Sequence, residues 1–134
     1  MLIAKEVEII GTDMSLSNEA TASGRGFAVA GGVAKAVADL IIKEHPGREV
    51  KIKAANGLRE CRDMCNDAAK GKYDGYLLEG MACPGGCVAG AGCMVKPNIA
   101  GAQVKQATKN SELKISDESK YADKIYLLDE KNLE

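Results

Sequence analysis

One stretch limits what this chain can be: Glu79-Gly80-Met81-Ala82-Cys83-Pro84-Gly85-Gly86-Cys87-Val88-Ala89-Gly90-Ala91-Gly92-Cys93. It carries three of the five cysteines and five of the fifteen glycines. Without Cβ atoms, glycines let backbone approach a bulky object and adopt conformations closed to other residues. Two thiols four positions apart in such a setting read first as ligands for a metal or cluster. Packing as small buried residues, or pairing as a disulfide in a tight loop, remains open to the same two sulfurs.

The rest of the chain must build a scaffold for that loop. At 134 residues, with 46% hydrophobic and 28% charged side chains, it reads as one soluble globular domain spanning residues 1–134. With four Tyr, one Phe and no Trp, its core must come from Ala, Val, Ile and Leu. A net charge of −1 argues against a nucleic-acid partner, which requires a basic face. No apolar run approaches the ~20 residues of a membrane span. Residues 1–10 include Glu6 and Glu8 and do not read as a signal peptide. The expected compartment is the cytosol, where structural disulfides are rare. Five cysteines, an odd number, also cannot all pair internally.

The fold class predicted is α/β. Residues 1–10 suit a strand or a helix equally. Residues 11–26, with Gly11, Asp13, Ser15, Asn18, Ser23, Gly24 and Gly26, read as an unusually long connection. Phe27, Ala30, Val33, Val37, Leu40 and Ile41 recur at helical spacing and predict a helix over 26–44, ended by His45-Pro46-Gly47. Gly31-Gly32 within it opposes helix propensity, which suggests close approach of another backbone. A strand is expected over 50–55 and a helix over 58–70, with Leu58, Cys61, Met64 or Cys65, and Ala68 on one side. A short strand follows at 76–79. Helix, strand, helix, strand implies a parallel pair joined by a crossover helix, with ligands gathering beyond the carboxyl ends of the strands. The Gly/Cys stretch lies there. A further helix is expected over 98–110 and a last short one from 118 to about 130. Residues 1–22 and 110–134 read as loosely packed.

The remaining candidate residues have plainer readings. Cys61 and Cys65 share a helix face as ordinary thiols. His45 is a surface residue at a helix end. Cys93 lacks a partner at short spacing. A buried Glu79 at a strand end needs partners, and backbone amides of the loop are the simplest ones.

On these residues the chain resembles the catalytic domain of the [FeFe] (iron-only) hydrogenases. Glu79-Gly-Met-Ala-Cys-Pro-Gly-Gly-Cys-Val-Ala-Gly-Ala-Gly is similar to that family's last cluster-binding motif. Ser23-Gly-Arg-Gly-Phe-Ala-Val-Ala-Gly-Gly-Val is similar to its glycine-rich helix start. The likeness spans roughly residues 22–97. It implies that Cys83 binds an iron of a [4Fe-4S] cluster, that Cys87 bridges this cubane to a diiron subsite, and that Met81 packs beside the diiron centre. Together these metal groups form the H-cluster. The implied reaction is reversible reduction of protons to H2, with electrons from a ferredoxin-type carrier.

The family's two other motifs, of the Thr-Ser-Cys and Met-Pro-Cys types, do not occur here. The chain therefore reads as a C-terminal fragment of a hydrogenase large subunit, one lobe of a larger catalytic domain with a small parallel sheet and flanking helices. It would carry two of four cubane ligands, be inactive alone and lack the cluster, with the remainder of the catalytic domain as partner. Two alternatives are an iron–sulfur sensor or scaffold without H2 turnover, and a free-standing thiol or zinc protein.

Overall fold

The structure, a computed structural model, describes residues 19–124. The strand-or-helix segment 1–10, most of the connection beginning at 11, and the end of the expected last helix lie outside those residues. The elements in order are α1 (Ala22–Gly26), α2 (Gly32–Glu44), β1 (Lys51–Asn56), α3 (Leu58–Ala69), β2 (Tyr76–Met81) and α4 (Pro97–Asn110). Two 3₁₀ turns, Cys87–Ala89 and Ser116–Glu118, flank α4.

β1 and β2 pair in parallel, with Ala54 opposite Glu79 and Asn56 opposite Met81. The expected β–α–β unit is present, with α3 as the crossover. β2 runs two residues beyond the predicted 76–79 because Gly57 N donates to Met81 O at 2.7 Å and keeps the strand ends together. Successive side chains on a strand point to opposite faces. Accordingly Glu79 faces α2 through two hydrogen bonds, while Gly80 lies against Cys61 and Met64 of α3.

Three expectations are corrected. The helix predicted over 26–44 begins only at Gly32; Gly31 is its N-cap with φ +88°. A Cβ on Gly32 would stand 1.9 Å from the carbonyl oxygen of Gly26, so the glycine pair does mark a close backbone approach, between α1 and the start of α2. Second, residues 22–26 are helical and not loop. Thr21 Oγ1 accepts from Gly24 N at 3.0 Å and caps the turn, and Ala22 N and Ser23 N donate to Leu113 O and Lys114 O. The turn-forming composition concealed this because the contacts that hold α1 come from residues ninety positions away. Third, residues 118–124 form no α-helix; Glu118 instead accepts from the Lys114 and Ile115 amides and ends a 3₁₀ turn.

Among the described residues the buried apolar side chains are Ala34, Ala36, Ala38, Ala55 and Met64. Of the larger residues expected inside, Val37, Ile52 and Leu78 remain 39%, 40% and 38% exposed, and Leu58 is 73% exposed. Alanine thus makes the closest contacts between the elements, while Val33, Leu40, Ile41 and Leu77 are half-buried and Val37, Ile52, Leu58 and Leu78 face outward. Ion pairs secure the periphery: Lys43 reaches Asp117 at 2.6 Å, tying the end of α2 to the 116–118 turn.

Candidate functional site: a glycine-built cysteine loop

The loop Ala82–Val88 leaves β2 at its carboxyl end and turns back on itself. Gly86 N donates to Cys83 O at 2.9 Å, a turn made with Gly85 at φ +100° and Gly86 at φ +96°. L-residues adopt such angles only under strain. Pro84 supplies a fixed φ just before them.

Two neighbouring segments hold the loop. Residues 28–30, between α1 and α2, take one side: Ala30 N donates to Gly85 O at 3.2 Å and Val88 N to Ala28 O at 3.1 Å. Gly86 is buried so closely here that a Cβ would meet Ala30 N at 2.6 Å, Ala28 O at 2.7 Å and the Val29 carbonyl carbon at 2.8 Å. The end of β1 takes the other side: Asn56 Oδ1 accepts from Gly85 N at 2.7 Å. Asn56 N is itself bonded to Glu60 Oε2 at 2.9 Å.

Nothing in the sequence marks Asn56 as a site residue. The Asn-Gly pair ending a strand was legible as punctuation, but its side chain's partner lies 29 positions away. Removing that acceptor should cost about 0.5–1.5 kcal/mol, the usual net worth of one such bond. Asn56→Ala should therefore speed exchange of the Gly85 amide by up to about tenfold. Unchanged exchange at Gly85 in the variant would show that the bond does not hold the loop.

Glu79 anchors the whole arrangement from beneath. It is 7% exposed, and its carboxylate accepts from Gly31 N at 3.0 Å and Ala34 N at 2.9 Å. Its partners are thus backbone amides, as expected, but those of the N-terminus of α2 and not of the cysteine loop. An acceptor carrying negative charge suits the exposed amides and positive dipole end of a helix start. One side chain from β2 thereby fixes where α2 begins, and with it the 28–30 segment on which the cysteine loop sits.

The thiols are placed as follows. Cys83 is half-buried and Cys87 exposed. A Cβ on Gly90 would lie 3.6 Å from Cys83 Sγ, so that sulfur sits under the turn following Cys87. Met81, half-buried, is two residues beyond Glu79 and so on the same face of β2. Cys93 is exposed, and its thiol donates to Cys87 O at 3.3 Å. Cys61 packs against Gly80, with its thiol 3.7 Å from Met81 O, while Cys65 is exposed. Soft thiolates are the right donor chemistry for iron. Among the described residues no three His, Cys, Asp or Glu side chains gather into a metal-holding group. The Cys83 and Cys87 thiols fit an iron–sulfur cluster in kind. No helix of the described residues is long and apolar enough to cross a membrane.

Two comparisons bear on this site. The sequence profile of a family described as "Iron only hydrogenase large subunit, C-terminal domain" matches residues 3–91, which include Cys83 and Cys87. A "Periplasmic [Fe] hydrogenase large subunit" from Nitratidesulfovibrio vulgaris is 36% identical over 63 residues. That match covers 47% of this chain and 15% of the relative, so the chain spans a small part of the relative's length.

Proposed function

The chain belongs to the family formed by the C-terminal domains of iron-only hydrogenase large subunits, and on that premise we propose that it forms one wall of the H-cluster pocket of a hydrogenase. Cys83 would hold an iron of the [4Fe-4S] cubane, Cys87 would bridge the cubane to the diiron subsite, and Met81 would pack beside that subsite. When bound, the cluster would pass on electrons from an external carrier and provide the metal site at which protons are reversibly reduced to H2. The chain's own contribution is to present two thiolates from a rigid turn and to keep the loop in place through Asn56, Gly86 and the 28–30 segment.

The observation that carries this reading is the position of the Cys83–Cys87 loop: beyond the carboxyl end of a parallel strand, on a glycine turn bonded to two other segments. Ligand sites in parallel sheets gather at that end. Cubanes take four thiolates, so two are needed from elsewhere. The open faces of the scaffold support a partner that provides them. Parallel sheets are ordinarily covered on both sides by a larger set of elements. Among the described residues β1 and β2 pair only with each other, and Ile52, Tyr76, Leu78, Leu58 and Met94 stand exposed around the same unit. The remainder of the catalytic domain is the partner that fits these faces, and a ferredoxin-type carrier would deliver electrons to the assembled enzyme. The chain on its own would be inactive. The cytosol is its proposed compartment; the relative's name says periplasmic for that protein.

Anaerobic reconstitution with iron and sulfide tests the proposal. The chain alone should retain far fewer than the roughly four irons of a cubane and evolve no H2. Supplied in trans with the rest of a family catalytic domain, it should take part in iron binding that Cys83→Ser or Cys87→Ser abolishes. Four irons held by the lone chain, or iron uptake indifferent to both substitutions, would overturn the half-site reading.

A further inference from the structure

Cys93 lies outside the ligand pair and outside the matched residues 3–91, yet the fold brings it back to the loop. Two successive turns do this. Gly90 N donates to Cys87 O at 3.0 Å, and Cys93 N donates to Gly90 O at 3.2 Å, with Gly92 at φ +87° completing the reversal. The result is that Cys93 Sγ lies 3.3 Å from Cys87 O. Both of these residues are exposed, whereas Cys83 is half-buried with its sulfur against Gly90.

We propose that Cys87 and Cys93 are an oxidation-sensitive thiol pair, joined by a two-electron oxidant of the peroxide class while Cys83 stays reduced. The Cys93 thiolate attacks the peroxide, breaking the O–O bond and releasing hydroxide, which leaves a sulfenic acid on Cys93. The Cys87 thiolate then attacks that sulfur; the S–S bond forms, the S–O bond breaks, and a second hydroxide leaves and is protonated. Two thiols and one peroxide yield one disulfide and two waters. The geometry favours this pairing because Cys87 and Cys93 are both exposed and the Cys93 sulfur is already held against the Cys87 carbonyl. Cys83, by contrast, is half-buried, with its sulfur 3.6 Å from where a Cβ on Gly90 would stand. The bond itself does not depend on the hydrogenase reading. Its consequence does: the disulfide withdraws the proposed bridging ligand, so that oxidation of the chain would block metal assembly reversibly.

The test is differential labelling of the purified metal-free chain treated with hydrogen peroxide. Free thiols are blocked with N-ethylmaleimide, the product is reduced, and newly released thiols are alkylated with iodoacetamide and located by peptide fragmentation. Before blocking, the mass of the treated chain should fall by about 2 Da, for two hydrogens lost. The second label should appear at Cys87 and Cys93, persist in Cys83→Ser, and vanish from Cys87 in Cys93→Ser. In urea the preference should be lost, because the shorter Cys83–Cys87 ring then closes at lower entropic cost. A native bridge between Cys83 and either other cysteine, or mass gains from added oxygen with no bridge, would overturn the proposal. Iron uptake after reconstitution with the rest of the catalytic domain is read separately: bridge formation with unimpaired uptake would refute the ligand role of Cys87 and leave the disulfide standing.

Discussion

Replacing Gly86 by alanine is expected to cost about 3–5 kcal/mol of folding stability, the largest loss of any single methyl addition to the cysteine loop. Two effects combine at this position. Gly86 has φ +96° and ψ −168°, a backbone region essentially restricted to glycine, and a side chain there stores about 1–3 kcal/mol of strain. Its Cβ would also lie within 2.6–2.8 Å of Ala28 O, Val29 C and Ala30 N. These are backbone atoms that carry the loop's own hydrogen bonds and cannot turn aside as a flexible side chain would. Gly92→Ala is the matched control. Gly92 has φ +87° but nothing within 4 Å of the added methyl, so strain acts alone and the loss should be about 1 kcal/mol. The difference between the two urea midpoints isolates the clash. A Gly86→Ala chain within about 0.5 kcal/mol of the parent would mean that the loop is not seated on residues 28–30.

This prediction depends on a contact that the sequence hid. The glycines of the 79–93 stretch announced close approach, and that was correct, but the approaching backbone belongs to residues 28–30, far away in the chain. The same holds for Gly31-Gly32, which periodicity placed inside a helix and the fold uses to begin one. Local signals succeeded where one element's own chemistry decides it: His45-Pro46-Gly47 beyond α2, Gly57 before α3, and the apolar run of β2. They failed where tertiary contact overrides propensity. Ala22–Gly26 reads as loop and is helical because Leu113 and Lys114 accept its first amides. The apolar pattern of α2 pointed to Val37 and Ile41 as core, whereas burial falls on Ala34, Ala36 and Ala38. In a chain proposed to be one lobe of a larger domain, that inversion has a physical basis. Alanine faces meet within the lobe, and larger side chains such as Ile52 and Leu78 are left for surfaces the lobe cannot cover itself. The site is legible to the same extent: Cys83 and Cys87 stood out by type and spacing, and the residues that hold them, Asn56, Ala28 and Ala30, are ordinary in sequence.

Glu79 carries the second large effect. Its carboxylate satisfies two amides at the start of α2 from within a nearly closed site, and charge-assisted bonds of this kind are about twice as strong as neutral ones. Glu79→Gln preserves shape and length, so packing is held constant. One oxygen can still accept, but the amide NH2 then faces a backbone N–H, donor against donor. The expected loss is about 1–3 kcal/mol, the cost of one buried donor left unpaired together with the lost charge interaction at the helix end. Glu79→Ala abandons both amides and leaves a cavity, and should lose about 2–4 kcal/mol. Stability alone would not distinguish an anchor for the site from a buried polar contact of purely local value. The distinguishing measurement is the alkylation rate of the Cys83 thiol under native conditions. Glu79 sets where α2 begins, and the segment before α2 is what the cysteine loop rests on. Loosening the helix start should therefore expose Cys83 in Glu79→Gln, with little change at the already exposed Cys65 of α3. If the glutamine variant is destabilised while Cys83 reacts at the parent rate, Glu79 caps α2 and nothing more. If Cys83 reacts faster in proportion to the stability lost, the carboxylate on β2 is the part of the fold that keeps the Cys83 and Cys87 thiols in their loop.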